Sequence, residues 1–208
     1  ETAARLAEAL RDNPGAARWA RLVFRQQGIE SRYTCEPNLL ERAGSCRYFP
    51  RSRGAAPSTS ERMAAYRREA PPLARLAAKR ALLAGGTPPE AVSHLITVSC
   101  TGQYLPGLDA ELIRTLGLPA RVSRVPLTFV GCAAGLKAVG LARQLVAATG
   151  RADARALVVC VELCTLHIQP SDDREELFAA SLFGDGASAC VVGAAEDGER
   201  TAVLLGEP

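Results

Sequence analysis

Ser93-His94-Leu95-Ile96-Thr97-Val98-Ser99, followed by Gly107 to Leu116, Val122 to Thr128, Cys132 to Ala148 and Ala156 to Val161, is the stretch whose reading decides the fold. The first run is short and β-branched, the second helical, the third another short strand, and the fourth a long helix. Ala156 to Val161 is wholly apolar, as strands buried on both faces are. From Cys132 to Ala148 the only charged side chains are Lys137 and Arg143, so this helix is expected to be buried on nearly every face. Strand and helix alternate, and the alternation predicts an α/β layered sheet.

Working outward, Ser171 is expected to cap a helix ending near Leu182. Two last strands, Ala187 to Val192 and Thr201 to Leu205, read as a hairpin around Glu196-Asp197-Gly198. Toward the other end, residues 1–27 read as two helices broken at Asn13-Pro14-Gly15, with Leu6, Leu10, Trp19, Leu22 and Val23 at helical spacing. Residues 28–35 are extended and 36–56 loop-like. A long helix begins near Ser58, where Ser58 and Glu61 fit a capping box. Pro71-Pro72 is expected to start a new helical segment or kink this one, and Gly85-Gly86 to stop it. The chain shows no internal repeat, low-complexity tract or clear interdomain linker.

Composition narrows the function. The 208 residues are 48% hydrophobic, enough to bury a sizeable core, and 25 basic against 22 acidic residues leave a net charge of only +3. That balance does not predict nucleic acid as a partner. Seven cysteines, an odd number, widely spaced and without a CxxC pair, argue against a disulfide framework and a structural zinc site. Reduced thiols and a cytoplasmic location are expected. With no apolar run near the roughly 20 residues of a membrane span and no signal-peptide core at Glu1-Thr2-Ala3-Ala4-Arg5, no membrane partner is expected. The lack of an initial Met is read as a chain trimmed or cut from something longer.

One cysteine stands where chemistry would put it. In Phe129-Val130-Gly131-Cys132-Ala133-Ala134-Gly135 the thiol lies at the start of the long apolar helix, where unpaired backbone N–H groups and the helix dipole favour thiolate, and small neighbours leave room for a substrate. Cys132 is therefore a candidate nucleophile; a small hydrophobe in a core is the competing reading. Arg18, Arg21 and Arg25 share one helix face, either a solvated basic face or an anion site. Phe183-Gly184-Asp185-Gly186 lacks the spacing of a phosphate loop and reads as a tight turn. Asp172-Asp173 with Glu175-Glu176 reads as dipole partners of a helix start rather than a metal cluster, and Trp19 as core.

Five segments in register carry a resemblance: Cys100-Thr101-Gly102, Leu105-Pro106-Gly107-Leu108-Asp109, Gly131-Cys132, Val161-Glu162-Leu163-Cys164-Thr165 and Leu182-Phe183-Gly184-Asp185-Gly186-Ala187. With Gly28-Ile29-Glu30-Ser31-Arg32-Tyr33 they make the chain resemble the N-terminal half of a bacterial type III polyketide synthase of the chalcone- and stilbene-synthase-like kind, over essentially its whole length.

The resemblance implies a thiolase-like fold, layered αβαβα, of which residues 1–208 would be the first half. It places the family's nucleophile on Cys132, which takes an acyl group from coenzyme A and supports decarboxylative condensation with malonyl-CoA. It places the gatekeeper phenylalanine on Phe183 and pocket-lining, substrate-binding positions on Cys100, Cys164 and His167. Leu105 takes the position that reaches into a dimer partner's cavity, beside Pro106, a proline often preceded by a cis peptide. The face of Arg18, Arg21 and Arg25 lies where the family binds coenzyme A phosphates. No cofactor or metal is implied; acyl-CoA and malonyl-CoA are substrates, and the protein is expected to be a homodimer.

The family's catalytic histidine and asparagine belong to its second half. His94, just before a strand, and His167, at a pocket position, match neither, so this chain alone is expected not to condense. Two other readings stand beside this one: a non-catalytic half-length chain of the same fold, and a condensing enzyme of the ketoacyl synthase III type.

Overall fold

The computed structural model describes residues 1–50 and 56–194. Its elements, in chain order, are α1 (Thr2–Ala9), α2 (Pro14–Gln26), α3 (Thr59–Ala84), β1 (Val92–Ser99), α4 (Leu108–Leu116), β2 (Ser123–Thr128), α5 (Ala134–Ala148), β3 (Arg155–Leu163), α6 (Arg174–Leu182) and β4 (Asp185–Gly193). The α/β alternation is therefore as the sequence predicts. The expected strand over 201–205 and its turn at 196–198 lie outside the described residues.

The residues cluster into two compact units, Glu1–Glu69 with Glu162–Gly186, and Ala70–Val161 with Ala187–Pro208. Their boundaries fall inside α3, β3 and β4, continuous elements whose composition carries no linker signal.

In the first unit, α1 and α2 are split where expected. Asn13 caps α2 by accepting from the Ala16 N–H at 3.1 Å, and Pro14 occupies the first helical position, where its missing N–H costs nothing. Leu6, Leu10, Ala16, Ala20 and Val23 are buried. Trp19 is only half-buried: its indole N–H donates to the Arg174 carbonyl at 3.4 Å and the Arg174 guanidinium lies 5.0 Å over its ring. It clips α2 to α6 at the surface and is not the core residue its spacing suggested. The capping box forms as predicted, with Ser58 and Glu61 exchanging bonds of 2.8 and 3.3 Å.

Two expectations shift in detail. Helix α3 runs through Pro71 and Pro72 without a second helix starting there. Ala70, Ala74, Ala78 and Leu82, spaced by four, form a buried seam that continues past the prolines, and tertiary burial outweighs the lost backbone bonds. Helix α6 is capped by Asp173, which accepts from the Glu175 N–H at 2.7 Å, while Ser171 instead accepts from the Asp173 N–H at 3.1 Å. In a run of short polar side chains, the one adjacent to the first helical residue takes the cap.

The second unit is built on a sheet of order β2-β1-β3-β4, with β1 parallel to both β2 and β3. Both faces of β1 and β3 are filled: Ile96, Val98, Ala156 and Val158 join one core cluster, while Leu95, Leu157 and Val159, alternate along the strands, are also buried. Against that cluster α5 presents Ala134, Ala138, Ala142 and Val146. The rest of α5 is not buried; Leu136 is 81% exposed. The near-absence of charge thus marks an apolar helix with one narrow buried seam, and not the all-round burial predicted.

Candidate active site

Cys132 lies in the connection from β2 to α5. Phe129 has a φ of 57° and Gly131 a φ of 90°, so the chain turns sharply after the strand, and at Gly131 a side chain would be strained. The helix then starts at Ala134 with Ala133 as its cap, and no side chain caps it. The Ala134 N–H bonds the Gly131 carbonyl at 3.0 Å, leaving Gly135 and Leu136 as first-turn donors without an intrahelical acceptor. Cys132 is the one exposed cysteine of the seven; Cys46 is buried and the other five are half-buried. It is not the core hydrophobe of the competing reading.

Cys100 and Leu105 occupy the same end of this sheet. Ser99 pairs with Thr128 in the parallel ladder, so Cys100 and Phe129 leave adjacent strands side by side. Sites of α/β sheets form at such carboxyl ends. The loop bearing Leu105 is anchored on both sides, Tyr104 by its hydroxyl to Glu111 at 2.8 Å and Asp109, 4% exposed, by Arg124 at 3.2 Å. Between them the Leu105–Pro106 peptide is cis, as the resemblance led one to expect, and Leu105 is 87% exposed. His94 is remote. It pairs with Ser123 at the other end of the ladder, five strand residues or roughly 16 Å from Thr128, and its Nδ1 lies 2.9 Å from the Ser93 hydroxyl.

In the first unit, Arg21, Arg25 and Phe183 line one cavity of about 580 Å³, with Phe24, Arg32, Tyr33, Thr34 and Thr165 among its other walls. Arg18 is exposed on the same helix but does not line it. The Arg32 guanidinium sits 5.3 Å over the Phe24 ring and donates to the Ser181 carbonyl; burial pulls its pKa down. Cys164, half-buried, and His167, exposed, open and close a 3-10 turn whose Thr165 reaches the cavity. That turn is held by the buried Arg62, which donates to the Leu166 carbonyl and, at 2.9 Å, to that of Pro57.

One functional side chain was missed by sequence reasoning, which treated Asp185 only as part of a turn. Its carboxylate accepts from the Cys35 N–H at 2.7 Å, the Thr165 N–H at 2.8 Å and the Thr165 hydroxyl at 2.6 Å, and Thr165 in turn meets the Thr34 hydroxyl at 2.9 Å. Gly184 allows this approach, since a Cβ there would lie 3.1 Å from that of Arg32. Asp185 therefore ties the extended segment 33–35 to the Cys164–His167 turn, two residues after Phe183. The acids stand at the α6 start as expected, Asp172 also accepts from the Asn13 amide at 3.0 Å, and among the described residues no group of three or more His, Cys, Asp or Glu side chains could hold a metal.

Comparison with known proteins fits this geometry. The family model for chalcone and stilbene synthases, N-terminal domain, matches residues 29–196. The chain is 39% identical over 142 residues to the alpha-pyrone synthesis polyketide synthase-like Pks18 of Mycobacterium tuberculosis, a match covering 67% of this chain and 35% of that protein. It is 39% identical over 148 residues to bisdemethoxycurcumin synthase of rice, covering 70% and 36% respectively. Among solved structures, polyketide synthase PKS-I of Ectocarpus siliculosus superposes with a TM-score of 0.82 at 28% identity over 96% of this chain and 53% of that one. The 1,3,6,8-tetrahydroxynaphthalene synthase of Streptomyces coelicolor gives 0.76 at 29%, over 92% and 52%. The chain thus spans about half the length of the solved relatives and about a third of these two curated ones.

Proposed function

Because the chain belongs to the chalcone and stilbene synthase family, as its N-terminal domain, with the thiolase-like α/β fold of type III polyketide synthases, we propose that Cys132 is the acyl-accepting nucleophile of a coenzyme A-dependent polyketide synthase. The observation that carries this reading is the placement of the one exposed thiol just ahead of an uncapped helix start. The Cys132 thiolate attacks the thioester carbonyl of an acyl-CoA. A carbon–sulfur bond forms, and coenzyme A leaves as its thiolate. Malonyl-CoA then loses CO₂, the freed electron pair becomes an enolate, and the enolate carbon displaces Cys132 from the acyl group. A solved relative, CsyB, is complexed with CoA-SH, which supports a coenzyme A thioester as substrate.

The resemblance assigns Phe183, Cys100, Cys164 and His167 to substrate-binding positions, Leu105 to the one that reaches a dimer partner's cavity, and Arg18, Arg21 and Arg25 to coenzyme A phosphates. Arg21 and Arg25 are the better placed, since both line the cavity of the first unit. No cofactor is invoked. Loading and extension make different demands: the first needs chiefly a thiolate, the second also donors for the enolate oxygen, one of which is typically worth ~10² to 10³ in rate. With His94 at the far end of the sheet and no counterpart here of the family's histidine and asparagine, these 208 residues alone are expected to load but not to extend. Intact-mass spectrometry after incubation with a long-chain acyl-CoA should find one acyl adduct, absent in Cys132→Ala, without malonyl-CoA turnover. An adduct that survives the substitution, or none on the parent chain, sinks the assignment of Cys132; polyketide product from the chain sinks the separation of steps.

A further inference from the structure

Helix α3 ends on a face that the chemistry above does not use. From Ala70 to Pro89 the charged residues are Arg75, Lys79 and Arg80, with no acid among them. Ala70, Ala74, Ala78 and Leu82 form the buried seam. Opposite it Arg75, Leu76, Lys79, Arg80 and Leu83 are all exposed, Leu76 by 48% and Leu83 by 84%. The two leucines are seven residues apart, so they lie on one stripe, roughly 10 Å apart along the axis, with a cation on either side. None of the three cations forms an ion pair among the described residues.

A single exposed leucine needs no explanation. Two on one stripe, framed by three unpaired cations on a helix whose other side is buried, match the surface that binds an anionic interface. Nucleic acid would engage the cations and leave the leucines in water. A lipid surface engages both: leucines enter the headgroup–acyl boundary, and the aliphatic stems of Arg75, Lys79 and Arg80 follow while their charges meet anionic headgroups. A convex helix face suits a flat interface better than a partner that must supply a groove. We propose that the Arg75–Leu83 face of α3 docks this protein on anionic lipid membranes. No described helix is long and apolar enough to cross a membrane, so the contact is peripheral. It departs from the expectation of no membrane partner, which rested on the lack of a span.

The test is co-sedimentation of the purified protein with vesicles of phosphatidylcholine alone and of phosphatidylcholine with phosphatidylglycerol, at low and high salt. Binding is expected only with phosphatidylglycerol, and should weaken by about tenfold or more in high salt as the charges are screened. Arg75→Glu, Lys79→Glu and Arg80→Glu together should lower low-salt binding by at least about tenfold. Leu76→Ser with Leu83→Ser should lower it by a similar factor. Circular dichroism checks that each variant folds, and Leu83→Ser alone replaces any that does not. Equal binding to both vesicles, none to either, or a charge-reversed protein that binds like the parent would overturn the proposal. Binding to polyglutamate without binding to vesicles would also overturn it and assign the face to an acidic protein.

Discussion

Burial sorts the seven thiols into one exposed, Cys132, one buried, Cys46, and five half-buried. Burial, helped by a hydrogen bond to Asp185 and by its charge, pushes the Cys35 thiol up to about 12, and burial raises Cys46 and Cys190 as well. Iodoacetamide consumes thiolate, so peptide mapping at neutral pH should find Cys132 alkylated first and Cys35 among the last. If Cys35 leads, the cluster around Asp185 is not formed as described; if Cys46 leads, the burial around Cys46 is not. The same shift has a consequence for stability. A raised folded-state value means the native Cys35 holds its proton between about 9 and about 12 while the unfolded chain releases it, so stability is full below pH 9 and falls through that window. Tyr48, pushed up to about 12 by burial and the nearby Glu36, acts in the same direction. Urea titrations across this window should show a shallower loss in Cys35→Ser than in the parent; an unchanged slope would refute the linkage. None of this was legible in the sequence. Cys132 stood out because a small-residue turn and a long apolar helix flank it, whereas Asp185 gains its role from Cys35, 150 residues away, and from Thr165, 20 residues away.

Short elements with strong local signals were legible: the helix break at Asn13-Pro14-Gly15, the capping box at Ser58 and the apolar β3 each carry their cause within a few residues. Of the two outcomes expected at Pro71 and Pro72, the new helical segment does not form, because a buried seam along α3 outweighs a local breaker. Helix α5 misled, since composition reports how apolar a helix is and not what covers it. Its seam is alanine wherever it is most buried, with Ala138 and Ala142 fully inaccessible, so the helix axis sits close to β1. Widening that seam should force the helix off the sheet. Ala138→Leu is expected to destabilise by about 1 to 3 kcal/mol, the usual cost of overpacking, read as a lowered urea midpoint with an unchanged slope. The exposed Leu136→Ala, on the same helix, should change stability by no more than about 0.5 kcal/mol. Equal effects at the two positions would contradict the narrow seam.

At the scale of the molecule, the second unit exposes more apolar surface than its chemistry needs. Leu105, Phe129, Val130 and Leu136 are 87, 66, 41 and 81% exposed, and β2, at one edge of the sheet, has only Val125 and Leu127 half-buried and its other four residues exposed. An apolar rim beside an unpaired strand edge is what soluble monomers avoid, because it templates pairing with another chain. The chain also spans about half of the solved relatives, so more than one kind of surface can meet this rim in the whole protein. For these 208 residues alone the physics leaves self-association as the way to remove it from water. Sedimentation velocity should therefore show dimers or larger species whose share grows with concentration. Leu136→Glu with Phe129→Ser should move the distribution toward monomer, since a charge at the centre of an apolar contact stays unpaired. A sharp monomer boundary at every concentration would mean that the rim is covered within the chain itself, and would count against the homodimer expected through Leu105.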